Sequence, residues 1–177
     1  MTMSENPVLF EELFPFNLPP RFSTETLEHE IRITDTTLRD GQQGWRPFTV
    51  EESLKIYELL HELSGPKGVV YSSELFLYTS RDREVARKIK SLGYGYPKPI
   101  AWIRATFNDL RLVWEAGFDE AVILTSVSDY HIYYKLRLDR RRAEEKFLSV
   151  IEEALKSGLT VRTSLEDITR SDIYGFV

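Results

Sequence analysis

Five short apolar runs, separated by helical patterns that each stop on a glycine, predict an α/β fold: a parallel sheet built from repeated βα units. The runs fall at residues 31–35, 68–73, 99–105, 121–125 and 159–164, and the helical stretches between them end near Gly65, Gly93, Gly117 and Gly158. Five strands and four complete helices over about 130 residues amount to roughly half of a (β/α)8 TIM barrel, which needs about 250. The expected organisation is an arm over residues 1–30 followed by a partial barrel over residues 31–177.

Each element has its own local signal. Pro7, Pro15, Pro19 and Pro20 break the first thirty residues too often for a long helix, yet Phe10, Leu13, Phe14 and Phe16 are apolar enough to pack, so a docked arm is expected. After the first strand, Thr49 and Glu52 stand at capping-box spacing and open a helix over residues 50–63, with Val50, Leu54, Tyr57 and Leu60 on one face. The last helix carries Phe147, Ile151, Ala154 and Leu155 as a single stripe, read as core-facing. A half-closed barrel would leave the first and fifth strands without neighbours. The chain closes on Tyr174-Gly175-Phe176-Val177, an apolar run with no terminator. The expectation is therefore a piece of a longer protein, or a short subunit that completes its barrel with another chain, in either case a homo-oligomer.

Composition narrows the function. At 177 residues and 42% hydrophobic, the chain has material for one core. A net charge of −5 argues against nonspecific nucleic-acid binding, which demands a basic face. The basic run Arg140-Arg141-Arg142 precedes Ala143-Glu144-Glu145-Lys146 and reads as the solvated opening of a helix, with a CoA-phosphate contact as the alternative. No apolar stretch approaches the ~20 residues of a membrane span, and the acidic start is unlike a signal peptide, so a cytoplasmic protein is expected. The absence of cysteine removes thiolate chemistry and thiolate metal sites.

The most informative segment is Ile33-Thr34-Asp35-Thr36-Thr37-Leu38-Arg39-Asp40-Gly41-Gln42-Gln43. β-Branched residues lead to an Asp, and an Arg-Asp pair then lands on Gly, as when a buried strand ends by presenting charge at a turn. This run resembles the signature of the metal-dependent lyase and synthase family that includes isopropylmalate synthase, homocitrate synthase, hydroxymethylglutaryl-CoA lyase and the carboxyltransferase domain of pyruvate carboxylase. The resemblance continues through Glu74 to Ser80, where an aromatic follows four residues after the Glu and a Ser six after. It also covers Ser126-Val127-Ser128-Asp129-Tyr130-His131 leading to Lys135-Leu136, and Glu166-Asp167-Ile168-Thr169-Arg170-Ser171-Asp172.

By that resemblance Asp40 ligates a divalent metal cation (zinc, magnesium or manganese), Arg39 stabilises an enolate or oxyanion, and Gln43 touches a 2-oxo acid. Glu74 and Glu166 are acid/base or substrate-orienting groups, while Arg104 and Thr125 lie late in the third and fourth strands and are substrate-binding candidates. The implied activity is a Claisen-type condensation of acetyl-CoA with a 2-oxo acid; a lyase, a carboxyltransferase or a noncatalytic association subunit is the alternative. The blander readings are a turn ion pair for Arg39-Asp40, a surface carboxylate for Glu74, a salt bridge to a neighbouring carboxylate for Arg104, and a loop or core histidine for His131. One departure matters: the family's His-x-His metal pair has no counterpart, since His29, His61 and His131 are isolated. The chain alone is expected to be inactive, because one carboxylate is a poor site for a metal that wants several ligands.

Overall fold

Five strands pair in parallel in strictly sequential order: β1 (Ile33–Asp35), β2 (Val70–Leu75), β3 (Lys98–Arg104), β4 (Glu120–Ser126) and β5 (Thr160–Glu166). The computed structural model describes residues 31–177, and the expected arm over residues 1–30 lies outside the described residues. Between the strands run α1 (Val50–Ser64), α2 (Ser80–Ser91), α3 (Phe107–Glu115) and α4 (Arg140–Lys156). A sheet whose order never reverses has no switch point of the doubly wound kind, which leaves a barrel or a flat ribbon.

Arg162 decides between the two. From β5 its guanidinium donates to Thr34 Oγ1 on β1 (3.2 Å) and to Ser72 Oγ on β2 (3.3 Å), with Nε 2.6 Å from Glu120 Oε1 on β4. In a flat sheet of strands about 4.8 Å apart, β1 and β5 would stand nearly 20 Å from each other, beyond an arginine's reach. The sheet is therefore curled into a half-barrel, as the sequence predicts.

Side-chain alternation separates the two faces. Leu75, Ala101, Ile103, Ala121 and Ile123 join Val85, Ile89, Leu110, Val113, Phe147 and Val150 from the helices in the main core. Ser72, Glu74, Trp102, Ser126, Arg162 and Glu166 alternate with them and line the inner face. No helix among the described residues is long and apolar enough to cross a membrane.

Local signals explain the element ends. Thr49 and Glu52 form the expected capping box, and Thr79 with Asp82 repeats it at α2. Gly65 and Gly158 close α1 and α4 at φ 59° and 87°, a region costly for residues with a Cβ. The strands run to Leu75, Ser126 and Glu166, one or two residues past the sequence-based bounds, because polar residues there still pair in the ladder. β1 is shorter than expected, with Ile31 79% exposed.

One helix stripe is corrected. Leu155 is 55% exposed, and the core face of α4 is Ala143, Phe147, Val150 and Ala154. The i, i+4, i+7, i+11 spacing of these four tracks the helix period, whereas Leu155 falls off that line. In α1, Tyr57 is fully buried and donates to the Pro97 carbonyl, with Val50 and Leu54 partly buried against the core; Ser53 and Ser64 share the buried face by bonding the Thr49 and Val70 carbonyls.

Candidate active site at the carboxyl ends of the strands

The turn after β1 is fixed before it carries any function. The Asp35 carboxylate accepts from Thr37 N (3.1 Å), Thr37 Oγ1 (2.7 Å) and Ser73 Oγ (3.1 Å), and the Thr36 carbonyl accepts from the amides of Arg39, Asp40 and Gly41. Gln42 then ties the turn to the segment leading into α1, accepting from Phe48 N (2.9 Å) and donating to the Leu38 carbonyl. The result presents Arg39 and Asp40 at the mouth of the first strand.

Arg39 is the centre of a linked ion cluster. Its Nε donates to Glu74 Oε2 and its Nη1 to Asp40 Oδ1, both at 2.6 Å, and its guanidinium lies 5.0 Å from the centre of the Trp102 ring. The Arg39 and Glu74 side chains are only 16% and 10% exposed, so each charge compensates the other where water screens poorly. Nη2 is uncommitted among the described residues, leaving one donor edge for negative charge on a ligand. Phe76 packs on Trp102 edge to face at 5.6 Å and completes the apolar wall behind the guanidinium.

A second cluster sits at the mouths of β4 and β5. Glu166 accepts from Ser126 Oγ (2.5 Å) and from Lys135 Nζ (2.7 and 2.6 Å), while Asp167 accepts from Ser128 Oγ (2.5 Å) and Arg170 Nε (2.7 Å). His131 lies against both, with Nδ1 3.2 Å from Glu166 Oε2 and Nε2 3.9 Å from Asp167 Oδ2. Burial alone would raise the Glu166 carboxyl, but the hydrogen bonds from Lys135 and Ser126 outweigh it and hold it below the usual carboxylate range. The opening of α4 is less solvated than its sequence suggests. Arg140 forks onto Asp129 at 2.6 Å and reaches Asp172 at 2.9 Å, leaving Arg141 and Arg142 on Glu145 and Asp139.

Arg39, Asp40 and Glu74 thus meet in one cluster, and Glu166 lies in the other at the same end of the sheet. Arg104 also lies at that end but forks onto Asp109 (2.8 and 2.9 Å) and stacks over Tyr78 at 5.1 Å, the salt-bridged alternative of the sequence reading. The Gln43 side chain is exposed and without a polar partner among the described residues. Thr125 shares the helix-facing parity of Ala121 and Ile123, and its hydroxyl lies 3.4 Å from the Ser164 carbonyl, so Ser126, one residue on, is the β4 hydroxyl that reaches the inner face. Trp102, His131 and Asp167 were absent from the sequence-derived site; parity with Arg104 along β3 was the signal that could have found Trp102.

Asp109 has a pH consequence. Burial would raise its carboxyl, but hydrogen bonds from Arg104 and Thr106 outweigh this and depress it. A depressed carboxyl contributes stability above the ordinary range near about pH 4, and that contribution fades as pH falls through the lower folded value. Urea unfolding from pH 6 to pH 3 is therefore expected to lose stability more steeply in the parent than in Asp109→Asn; equal slopes would contradict this.

The described residues do not by themselves fit a divalent cation. No group of three or more His, Asp or Glu side chains is placed to hold one among them. Asp40 is half-exposed and tied to Arg39, and His61 is held on the Tyr96 carbonyl at 2.6 Å and stacked on Tyr94.

A curled parallel sheet whose charged side chains collect at the strands' carboxyl ends defines the site-bearing half of a (β/α)8 barrel. The chain belongs to the HMGL-like family, whose model matches residues 30–176. It is 43% identical over 97% of its length to citrate (Re)-synthase of Syntrophus aciditrophicus and 40% identical over 97% to citrate (Re)-synthase of Clostridium kluyveri. It is also 35% identical over 94% of its length to 2-phosphinomethylmalate synthase of Streptomyces hygroscopicus. The chain spans 28%, 39% and 40% of these three relatives. The crystal structure of hydroxymethylglutaryl-CoA lyase from Pseudomonas aeruginosa shares the fold, with a TM-score of 0.58 at 17% identity over 76% of this chain and 45% of that one.

Proposed function

We propose that this chain supplies the amino-terminal portion of a synthase that condenses acetyl-CoA with a 2-oxo acid, with Arg39, Glu74 and Glu166 as its catalytic groups. The observation that carries this reading is Arg39, fixed by Glu74 and Asp40 and backed by Trp102, with one donor edge left open among the described residues. Condensation passes through an enolate and then an alkoxide, so negative charge develops on oxygen twice. A guanidinium already held in place stabilises that charge without reorganising, which is the main source of rate in such sites. Glu74 keeps the fork oriented, and Glu166, ionised and anchored, orients the acceptor from the β5 side.

The synthase names of the relatives support the acetyl-transfer class, and citrate formation points to a 2-oxo dicarboxylic acid as acceptor. Gln43 is the proposed contact to it, with the exposed Arg104 as a second; the helix-facing Thr125 is not one. Asp40 is proposed as one ligand of a divalent cation whose remaining ligands lie outside the described residues. A cytoplasmic setting belongs to the same proposal. The test is acetyl-CoA-dependent thiol release by the full-length parent with a panel of 2-oxo acids. Release is expected with a 2-oxo dicarboxylate and a loss of about a hundredfold or more in Asp40→Ala, at little cost to folding because that carboxylate is half-exposed. No release with any acceptor would contradict the reading.

A second reading, association, has its own observation: among the described residues β1 and β5 are the edges of the sheet, each paired on one side alone. Sedimentation of the 177-residue chain is expected to show an oligomer, or strong binding of hydrophobic dye. A compact monomer with cooperative thermal unfolding and negligible dye binding would contradict it.

A further inference from the structure

We propose that His131 is a positioning residue whose imidazole bridges Glu166 and Asp167 and sets the orientation in which Glu166 faces the site. In a strand, successive side chains point to opposite faces, so Glu166 and Asp167 should not meet one partner. They do so because Asp167 adopts the left-handed region at φ 65°, a conformation that costs a residue with a Cβ and persists where surrounding contacts hold it. Each carboxylate has its own hydroxyl and its own cation, Ser126 and Lys135 for Glu166, Ser128 and Arg170 for Asp167. The imidazole is the group common to both.

The turn that carries His131 is built for this contact. His131–Lys135 forms a π-turn closed by Leu136 N on the His131 carbonyl at 2.9 Å, and the His131 amide donates to Ser128 Oγ at 3.2 Å. Irregular turns of this kind recur at functional sites. Nδ1 is buried and, though 3.2 Å from Glu166 Oε2, has no aligned hydrogen bond. A ring carrying both protons offers a donor to each carboxylate, whereas a neutral ring sets a lone pair against one of them. Tyr130 lies beside it, 6.1 Å from the imidazole centre. Hydrogen bonds from Lys135 and Ser126 hold the Glu166 carboxyl low against its burial, so the ring faces a carboxylate.

The inference rests on the reading of Glu166 as a site carboxylate, and the test keeps the two apart. In the full-length parent, the His131 ring nitrogens are followed by NMR, with His131→Gln giving the assignment. Glu166→Gln and Asp167→Asn are each expected to shift the His131 ring nitrogen signals, because each removes a carboxylate that the ring faces, while the His61 signals stay in place. Should Glu166→Gln fail to fold, Asp167→Asn carries the measurement, because the ring faces both carboxylates. In the full-length parent, His131→Gln is expected to lower kcat about tenfold or more and to leave KM for acetyl-CoA unchanged. A ring signal indifferent to both substitutions overturns the inference, as does a His131→Gln enzyme with the parent's kcat. If the parent shows no condensation at all, the functional reading fails and the ring measurement still decides this one.

Discussion

Arg39→Ala in the full-length parent is expected to lower kcat/KM by a factor of about 10²–10³ and to destabilise the fold by about 3 kcal/mol. The two losses have separate causes. On the proposed function the rate falls because the donor edge that would meet the enolate and alkoxide disappears, and a preorganised donor in a poorly screened site is worth that much. Stability falls because Glu74, only 10% exposed, is left as a buried charge without its partner. Arg39→Lys separates them: it keeps the charge beside Glu74 but cannot bond Glu74, Asp40 and a ligand oxygen together, so stability should largely return while the rate does not. Urea midpoints and steady-state rates on the three proteins check this. Full activity in Arg39→Ala would remove Arg39 from the chemistry.

The largest purely structural effect should come from Ile103→Ala. Ile103 is fully buried at the helix-facing side of β3, within the cluster that includes Leu75, Leu110 and Ile123. Truncation removes apolar contact and leaves a cavity that a sheet paired on both sides of β3 cannot collapse into, a loss of about 2–5 kcal/mol. The neighbouring Trp102, on the inner face, offers a contrast. Trp102→Phe keeps most of the burial and should cost stability little while weakening the support behind Arg39. Thermal unfolding of both variants is the check, and equal stability of Ile103→Ala and the parent would contradict the core assignment.

Most of the fold was legible because its signals are local. Thr49 with Glu52 spells a capping box, Gly65 and Gly158 mark left-handed helix ends, and the apolar runs are too short for helices. What escaped depends on the third dimension. Leu155 reads as part of an apolar stripe until the core is seen to follow Ala143, Phe147, Val150 and Ala154. Thr125 and Ser126 are equally plausible strand-end hydroxyls in one dimension, and only the parity fixed by the packed Ala121 and Ile123 separates them. The contiguous motif placed Arg39 and Asp40 together without difficulty, whereas pairing Arg39 with Glu74, 35 residues away, needed the β1–β2 register. His131 and Asp167 lie in separate motifs 36 positions apart, and the left-handed turn at Asp167 that unites them is only permitted, not dictated, by an aspartate.

The most direct test of the central claim, that the charged mouths of these five strands belong to an acetyl-CoA-condensing site, is identification of the product. The full-length parent is incubated with acetyl-CoA labelled with carbon-13 in the methyl group and a 2-oxo dicarboxylic acid, and the mixture is followed by NMR. The expected result is a labelled methylene carbon bonded to a tertiary hydroxyl-bearing carbon, formed together with free CoA thiol. Label that stays in the acetyl methyl while the 2-oxo acid is cleaved or carboxylated would contradict it.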